Sequence, residues 1–286
     1  MNPGAGRRRA GAVAFQKVWD EIRGTLEAAG FRLRVEETAV PHPTASALAE
    51  TARRDGYEAV LVAGGDGTVA EVARTLVNSD VVLGILPFGS VMNVAHSIPL
   101  PLDPLDATRV IARKRIRRID VGDVGGQYFL EAAGVGLDAD AFGAARSVER
   151  GDVRTALRRM RDALARESHW IDVSIDGAKP VRYRALQILV TNGRYYAFSL
   201  PVVPDADIAD GMLDVAIFRR MGRLGLLRHL ASLALRWRPP TRPDVHRGRE
   251  IRIDCVEPLR VHADNIIAGT LPQTFRCRPE ALAIFA

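Results

Sequence analysis

Residues 64–71 read Gly64-Gly65-Asp66-Gly67-Thr68-Val69-Ala70-Glu71. The apolar run Ala59-Val60-Leu61-Val62-Ala63 leads into this stretch, and a helix-compatible segment, 69–77, leads out of it. Strand, glycine-rich turn and helix together present backbone N–H groups and a positive helix end to a phosphate. Glycines at 64, 65 and 67 let the main chain approach a ligand that a side chain would hold off. Asp66 is the unusual member, because a carboxylate in a phosphate cradle is repulsive unless a metal or a proton transfer involves it. Taken alone, the stretch also fits a plain strand-to-helix turn with a solvated aspartate.

The neighbouring sequence favours a larger α/β unit. Phe15, Val18, Trp19, Ile22 and Leu26 recur at helical spacing in 14–29, which Gly30 closes. Phe31-Arg32-Leu33-Arg34-Val35 alternates like a half-buried strand, and 44–54 reads as a second helix. The strand before Gly64 and the helix after it are followed by an apolar strand at 81–87 and a helix at 106–113. Such alternation predicts a doubly wound parallel sheet covered on both faces, with ligands beyond the carboxyl ends of its strands. Gly64–Thr68 occupies that position. A second turn, Pro87-Phe88-Gly89-Ser90-Val91-Met92-Asn93, brings further N–H groups and the Ser90 hydroxyl to the same end. Ser90 equally suits a helix N-cap.

After residue 118 the pattern changes to short strands with turn residues between them, at 119–124, 128–135, 171–175, 183–191, 213–218, 250–255, 259–262 and 274–278. These predict a largely antiparallel β-sandwich domain over 119–274. Two basic amphipathic segments, 152–167 and 224–237, interrupt it. They suit either an anionic membrane surface or an ordinary surface with a buried leucine stripe. The linker-like stretch 238–243 reads as a rigid surface loop.

Composition sets the outer bounds. The chain has 286 residues, 47% of them apolar, which suffices for two cores. No apolar run approaches the roughly 20 residues of a membrane span, and the N-terminus lacks a secretory signal. Its two cysteines and six histidines form no metal or catalytic spacing, and the cysteines suit a reducing cytosol. A net charge of +6 without stacking aromatics or zinc-finger spacing argues against nucleic acid and suits an anionic lipid surface.

Five ordered blocks then resemble one family. Asn2-Pro3-Gly4-Ala5-Gly6, Gly64–Thr68 with Glu71, Gly84 through Ser90 to Asn93, Phe129 to Ala139, and Asp210-Gly211-Met212-Leu213-Asp214 follow the order of the diacylglycerol kinase catalytic domain. The chain looks like the bacterial branch of that family, related to sphingosine and ceramide kinases. The resemblance implies an α/β nucleotide-binding domain over 1–118, with about 275–286 packing back on it, and a β-sandwich lipid-binding domain over 119–274. It implies ATP and Mg²⁺, and a lipid hydroxyl at the membrane surface as acceptor, in a cytoplasmic protein peripheral to the inner membrane. By the same resemblance Asn2, Thr38, Gly64, Gly65, Asp66, Gly67, Thr68, Glu71 and Ser90 surround the nucleotide. The loop at Asp207, Asp210 and Met212 resembles a place where family members hold a structural Mg²⁺, partly through main-chain oxygens, although Asp210-Gly211 also suits an ordinary turn.

Two departures from the family pattern matter. Members carry an apolar strand before the Asn-Pro turn, so for this chain either the start lies upstream or the first strand is missing. Near the C-terminus the family has Asp-Gly-Glu with Glu as base, where this chain has Asp264-Asn265-Ile266. A missing base would cost about 10²–10⁴-fold, and Asp66 or Asp264 could take its place. The alternatives are a catalytically weak ATP- or lipid-binding relative and an NAD kinase-like enzyme. Neither the acceptor lipid nor the oligomeric state is encoded in a local motif.

Overall fold

The computed structural model describes residues 12–38, 43–136, 154, 168–196, 199–219, 225, 228, 232 and 243–286. Asn2 and its turn, most of the two basic segments and 137–139 lie outside the described residues. In chain order the helices are α1 (Ala12–Ala28), α2 (Ala45–Arg54), α3 (Asp66–Leu76), α4 (Asn93–Ser97) and α5 (Pro104–Ala112). Strands β1 (Ala59–Gly64), β2 (Val82–Pro87), β3 (Ile116–Val124), β4 (Gln127–Phe129) and β5 (Ala132–Gly136) come first. β6 (His169–Ile175), β7 (Val181–Thr191), β8 (Tyr195–Tyr196), β9 (Leu200–Pro201) and β10 (Leu213–Arg219) follow. The last are β11 (Asp244–Gly248), β12 (Glu250–Cys255), β13 (Arg260–Ala263), β14 (Ile266–Thr270) and β15 (Gln273–Phe285).

The chain forms two compact units, one of Met1–Val121, Ala197–Ser199 and Pro279–Ala286, the other of Gly122–Tyr196 and Leu200–Arg278. In the first, β1 and β2 run parallel, in register from Ala59↔Val82 to Gly64↔Pro87, and Ile284 of β15 lies parallel to Leu83. Strand alternation sends Ala63, Val82, Leu86, Ala283 and Phe285 to one face, where Ile22 and Leu26 of α1 and Ile111 of α5 cover them. Val62, Leu83 and Ile85 are left for the other face. α3 packs on β1 and β2 and also against α2, and it buries Val69, Val72, Ala73 and Leu76.

Local chemistry sets several element ends. The Thr44 hydroxyl accepts from Ala47 N at 3.2 Å and starts α2. α5 begins at Pro104, two residues ahead of the expected start, because Asp103 accepts from the N–H groups of Leu105 and Asp106. Gly30, at φ +83, ends α1 while Phe31 N donates to Leu26 O.

The strand expected at 31–35 does not form. Phe31 and Leu33 turn onto the core while Arg32 and Arg34 face solvent, as the alternation predicts. A strand, however, also needs a neighbour's N–H and C=O groups, and no strand lies beside this segment among the described residues.

The second unit is an antiparallel sandwich. Its strands run in the order β15-β12-β6-β7-β5-β13-β14, with β10 on β7 and β11 on β10. The long β7 serves both layers. It pairs with β6 along Val181–Ala185, with β5 along Gln187–Thr191, and with β10 on its other side. Phe129, Val135, Ile171, Ile188, Val215, Ile251, Val261 and Phe275 form the core.

Candidate active site

In the first unit β1 runs into Gly65, which is extended at φ −102° and starts α3 without any side-chain cap. Thr68 N and Val69 N both donate to Gly65 O at 3.0 Å. The first turn of α3 therefore carries the partial positive charge of an uncapped helix start.

The second glycine turn lies directly against the first. A Cβ placed on Gly89 would sit 2.6 Å from Gly65 Cα and 2.7 Å from Met92 Sδ, so the two main chains touch. Phe88 N donates to Gly64 O at 3.1 Å and fixes the approach. Met92 takes the left-handed conformation, φ 56°, and turns the chain into α4. Asp66 Oδ1 accepts from Val94 N at 3.4 Å, so this carboxylate leans toward the second turn. Asn93 Oδ1 accepts from Ser199 N at 2.9 Å, and Ser199 Oγ donates to Val91 O at 2.8 Å. Ser90 is exposed.

Glu71 ties α3 to α2. Its Oε1 accepts from both Ser46 N and Ser46 Oγ at 2.9 Å, supporting the glycine turn indirectly by fixing the helix that follows it. Thr38 and Thr68 line one cavity of this unit, of ≈ 710 Å³. Thr68 also packs under Gly64, where an added Cβ would meet its side chain at 3.1 Å.

In the second unit Asp264 is 5% exposed and acts as a latch. Its carboxylate accepts from Leu130 N and Glu131 N at 2.9 Å and from Ala132 N at 3.3 Å. Its own N–H donates to Ala132 O at 2.8 Å. These bonds occupy the oxygens that a general base would need. Ile266 packs on the sandwich core. Sequence reasoning missed two buried polar residues of this region, Glu131 at 7% and Asn192 at 1% exposure, while His262, read as a strand residue, lies in β13 at 5%. Asn192 Nδ2 donates to Leu130 O at 3.3 Å. The available signal was a lone Glu inside the apolar run 129–135.

Asp207, Asp210 and Met212 lie in the loop that leads into β10. Asp207 Oδ1 accepts from Ala209 N at 3.1 Å and Asp210 Oδ1 from Met212 N at 3.0 Å, both within their own turns. Arg247 pairs with Asp210 at 3.1 Å and with Asp214 at 3.0 Å, so both carboxylates have a guanidinium partner. Burial pushes the Asp214 carboxyl up, against the pull of Arg247, while the pairing raises Arg247. Among the described residues no group of three or more His, Cys, Asp or Glu could hold a metal.

The architecture defines a class: a parallel α/β unit whose glycine turns meet at the strand ends, in one chain with an antiparallel sandwich. Residues 1–124 match the diacylglycerol kinase catalytic domain, and 132–286 match the YegS C-terminal NAD kinase beta sandwich-like domain. The chain belongs to the diacylglycerol kinase catalytic domain family, in its two-domain form. A diacylglycerol kinase of Bacillus subtilis (strain 168) is 27% identical, over 96% of this chain and 90% of the relative. The crystal structure of a diacylglycerol kinase from Bacillus anthracis str. Sterne superposes with a TM-score of 0.78 at 21% identity, covering 99% of this chain and 94% of that one. An NAD kinase from Archaeoglobus fulgidus, solved in complex with ATP, shares the fold at a TM-score of 0.53 and 14% identity, over 94% and 89%.

Proposed function

We propose that the protein is a lipid kinase that transfers the γ-phosphate of ATP to the hydroxyl of a diacylglycerol-like or sphingoid lipid. The observation that carries this reading is the contact of the two glycine turns at Gly65 and Gly89, beside the uncapped start of α3. The cradle binds phosphate oxygens through main-chain N–H groups and the helix end. The lipid oxygen attacks the γ-phosphorus, the bond to the β-phosphate oxygen breaks, ADP leaves, and the hydroxyl proton passes to Asp66. Asp264 serves as a positioning residue, since its oxygens are bonded to main chain. Phosphoryl transfer depends chiefly on positioning and electrostatics, so Ile266 in place of a carboxylate lowers the rate without abolishing the chemistry. Magnesium arrives with the nucleotide. A basic chain that acts on a lipid works at an anionic membrane face, from the cytoplasm.

A second reading, phosphorylation of NAD, is favoured by the fold shared with the archaeal NAD kinase. Labelled ATP offered with diacylglycerol, ceramide, sphingosine and phosphatidylglycerol in mixed micelles, and separately with NAD, decides between them. The lipid-kinase reading expects label in a lipid and none in NAD. Label in NAD alone overturns it, and ATP binding without transfer to any acceptor identifies an inactive relative.

A further inference from the structure

Two of the large apolar side chains that the sandwich unit leaves in solvent sit together at one end of its sheet. Trp170 of β6 is 58% exposed, and Val256, just beyond β12, is 96% exposed. Cys255 pairs with Ile171 and its thiol donates to Trp170 O at 3.3 Å, so Val256 follows directly alongside Trp170. Ile171 and Val173 face the core, so strand alternation turns Trp170 outward, together with Arg184, its partner on β7. Among the described residues Arg184 donates only to the Ser168 hydroxyl, at 2.9 Å, which leaves its charge uncompensated. The nearby carboxylates are engaged: Asp172 pairs with Arg182 at 2.7 Å, Asp254 with Arg252 at 3.4 Å, and Glu257 accepts the Cys255 S–H at 2.9 Å.

The register brings further positive charge to the same level. Ala185 of β7 pairs with His169, at the start of β6, and with Arg219, at the end of β10. In sequence, Arg158, Arg159, Arg161 and Arg166 precede β6, and 220–243, between β10 and β11, holds six arginines and no acidic residue. Both basic stretches thus join the sheet at the level of Trp170.

We propose that this end of the sandwich docks on an anionic lipid bilayer, with Trp170 and Val256 entering the boundary between headgroups and acyl chains and Arg184 meeting the lipid phosphates. A tryptophan suits that boundary, because its ring is apolar while its indole N–H stays within reach of polar headgroups. Two side chains at a sheet end fall far short of the roughly 800 Å² that each partner of a stable dimer buries, which argues against a second copy of the chain. The inference deepens the lipid-kinase reading and rests on it for the kind of surface met.

Flotation of the full chain with phosphatidylglycerol–phosphatidylcholine vesicles, without ATP, tests it. The wild type should bind, and bind more weakly as salt rises. Trp170→Ala should lower the vesicle partition coefficient by about tenfold or more, while Trp170→Phe retains most of it. Ile267, 64% exposed on β14 and three strands beyond β7, is the control, and Ile267→Ala should leave binding unchanged. Equal binding by Trp170→Ala and the wild type, or no vesicle binding by folded wild type, overturns the proposal. So does an equal loss in Ile267→Ala. A Trp170→Ala protein that keeps vesicle binding and changes its oligomeric state makes this end a contact between copies, which also overturns it. Vesicle binding without phosphate transfer to any acceptor removes the kinase reading alone; transfer to a water-soluble short-chain diacylglycerol without vesicle binding removes the docking surface alone.

Discussion

Gly89 shows how much a single missing side chain decides. A Cβ there would lie inside the van der Waals radius of Gly65 Cα, so alanine forces the two turns apart. Because a displacement of about 1 Å in a positioned site costs on the order of 10²-fold, Gly89→Ala is expected to weaken ATP binding and transfer at least tenfold while leaving a folded protein. Calorimetric titration with ATP and circular dichroism check the two halves of that statement. Gly24, in an exposed stretch of α1 with nothing within 4 Å of an added Cβ, is the control. Gly24→Ala should stabilise the protein by about 0.5–1 kcal/mol and leave binding unchanged. Cys255 supplies a pH-dependent case. Burial, and then the Glu257 carboxylate that accepts its S–H at 2.9 Å, push the thiol up to about 11. Its folded-state value is raised above the ordinary 9.0, so this contribution to stability is complete below that value and is lost as pH rises through about 11. Alkylation in a Cys277→Ser background should stay slow near pH 8 and climb through pH ~11; a profile centred near 9 would contradict the geometry.

At the scale of elements, the strand–turn–helix at 59–76 depends on residues within a few positions and was legible, whereas the cap at Asp103 was not read and α5 starts two residues ahead of its expected place. The segment 31–35 marks the limit. Its alternation is real and places Phe31 and Leu33 inward, but pairing depends on a neighbour that alternation does not encode. The pairing at the end of the loop 205–214 was not legible for a similar reason, since Arg247 arrives from 33 positions away to take Asp214. Asp264 was legible as an important residue while its use was not, because its partners at 130–132 lie more than 130 positions upstream. Asp264→Ala strands buried N–H groups, each costing about 1–3 kcal/mol, and should lower Tm by several degrees. Unchanged stability would mean the latch is dispensable. Ile266→Glu, designed to restore a base, sets a carboxylate where Ile266 packs on the core. Any gain in rate must therefore be read on the folded fraction.

For the whole molecule, the matched domains together span nearly the full chain, and the five sequence blocks carried that information without the intervening residues. The acceptor was not legible, because pocket shape decides it and no contiguous motif encodes pocket shape. No described helix is long and apolar enough to cross a membrane. On the proposed lipid-kinase reading, a net charge of +6 favours an anionic surface. Activity on micelles should accordingly rise with anionic lipid and fall as salt screens it. The most direct measurement is the initial rate of label transfer from γ-labelled ATP into diacylglycerol in anionic mixed micelles, for the wild-type chain and Asp66→Asn side by side, each normalised to folded protein. The account predicts measurable transfer by the wild type and a fall of about 10²-fold or more in the variant. Folded wild-type protein that transfers no label to lipid, or a variant that matches it, would contradict the account.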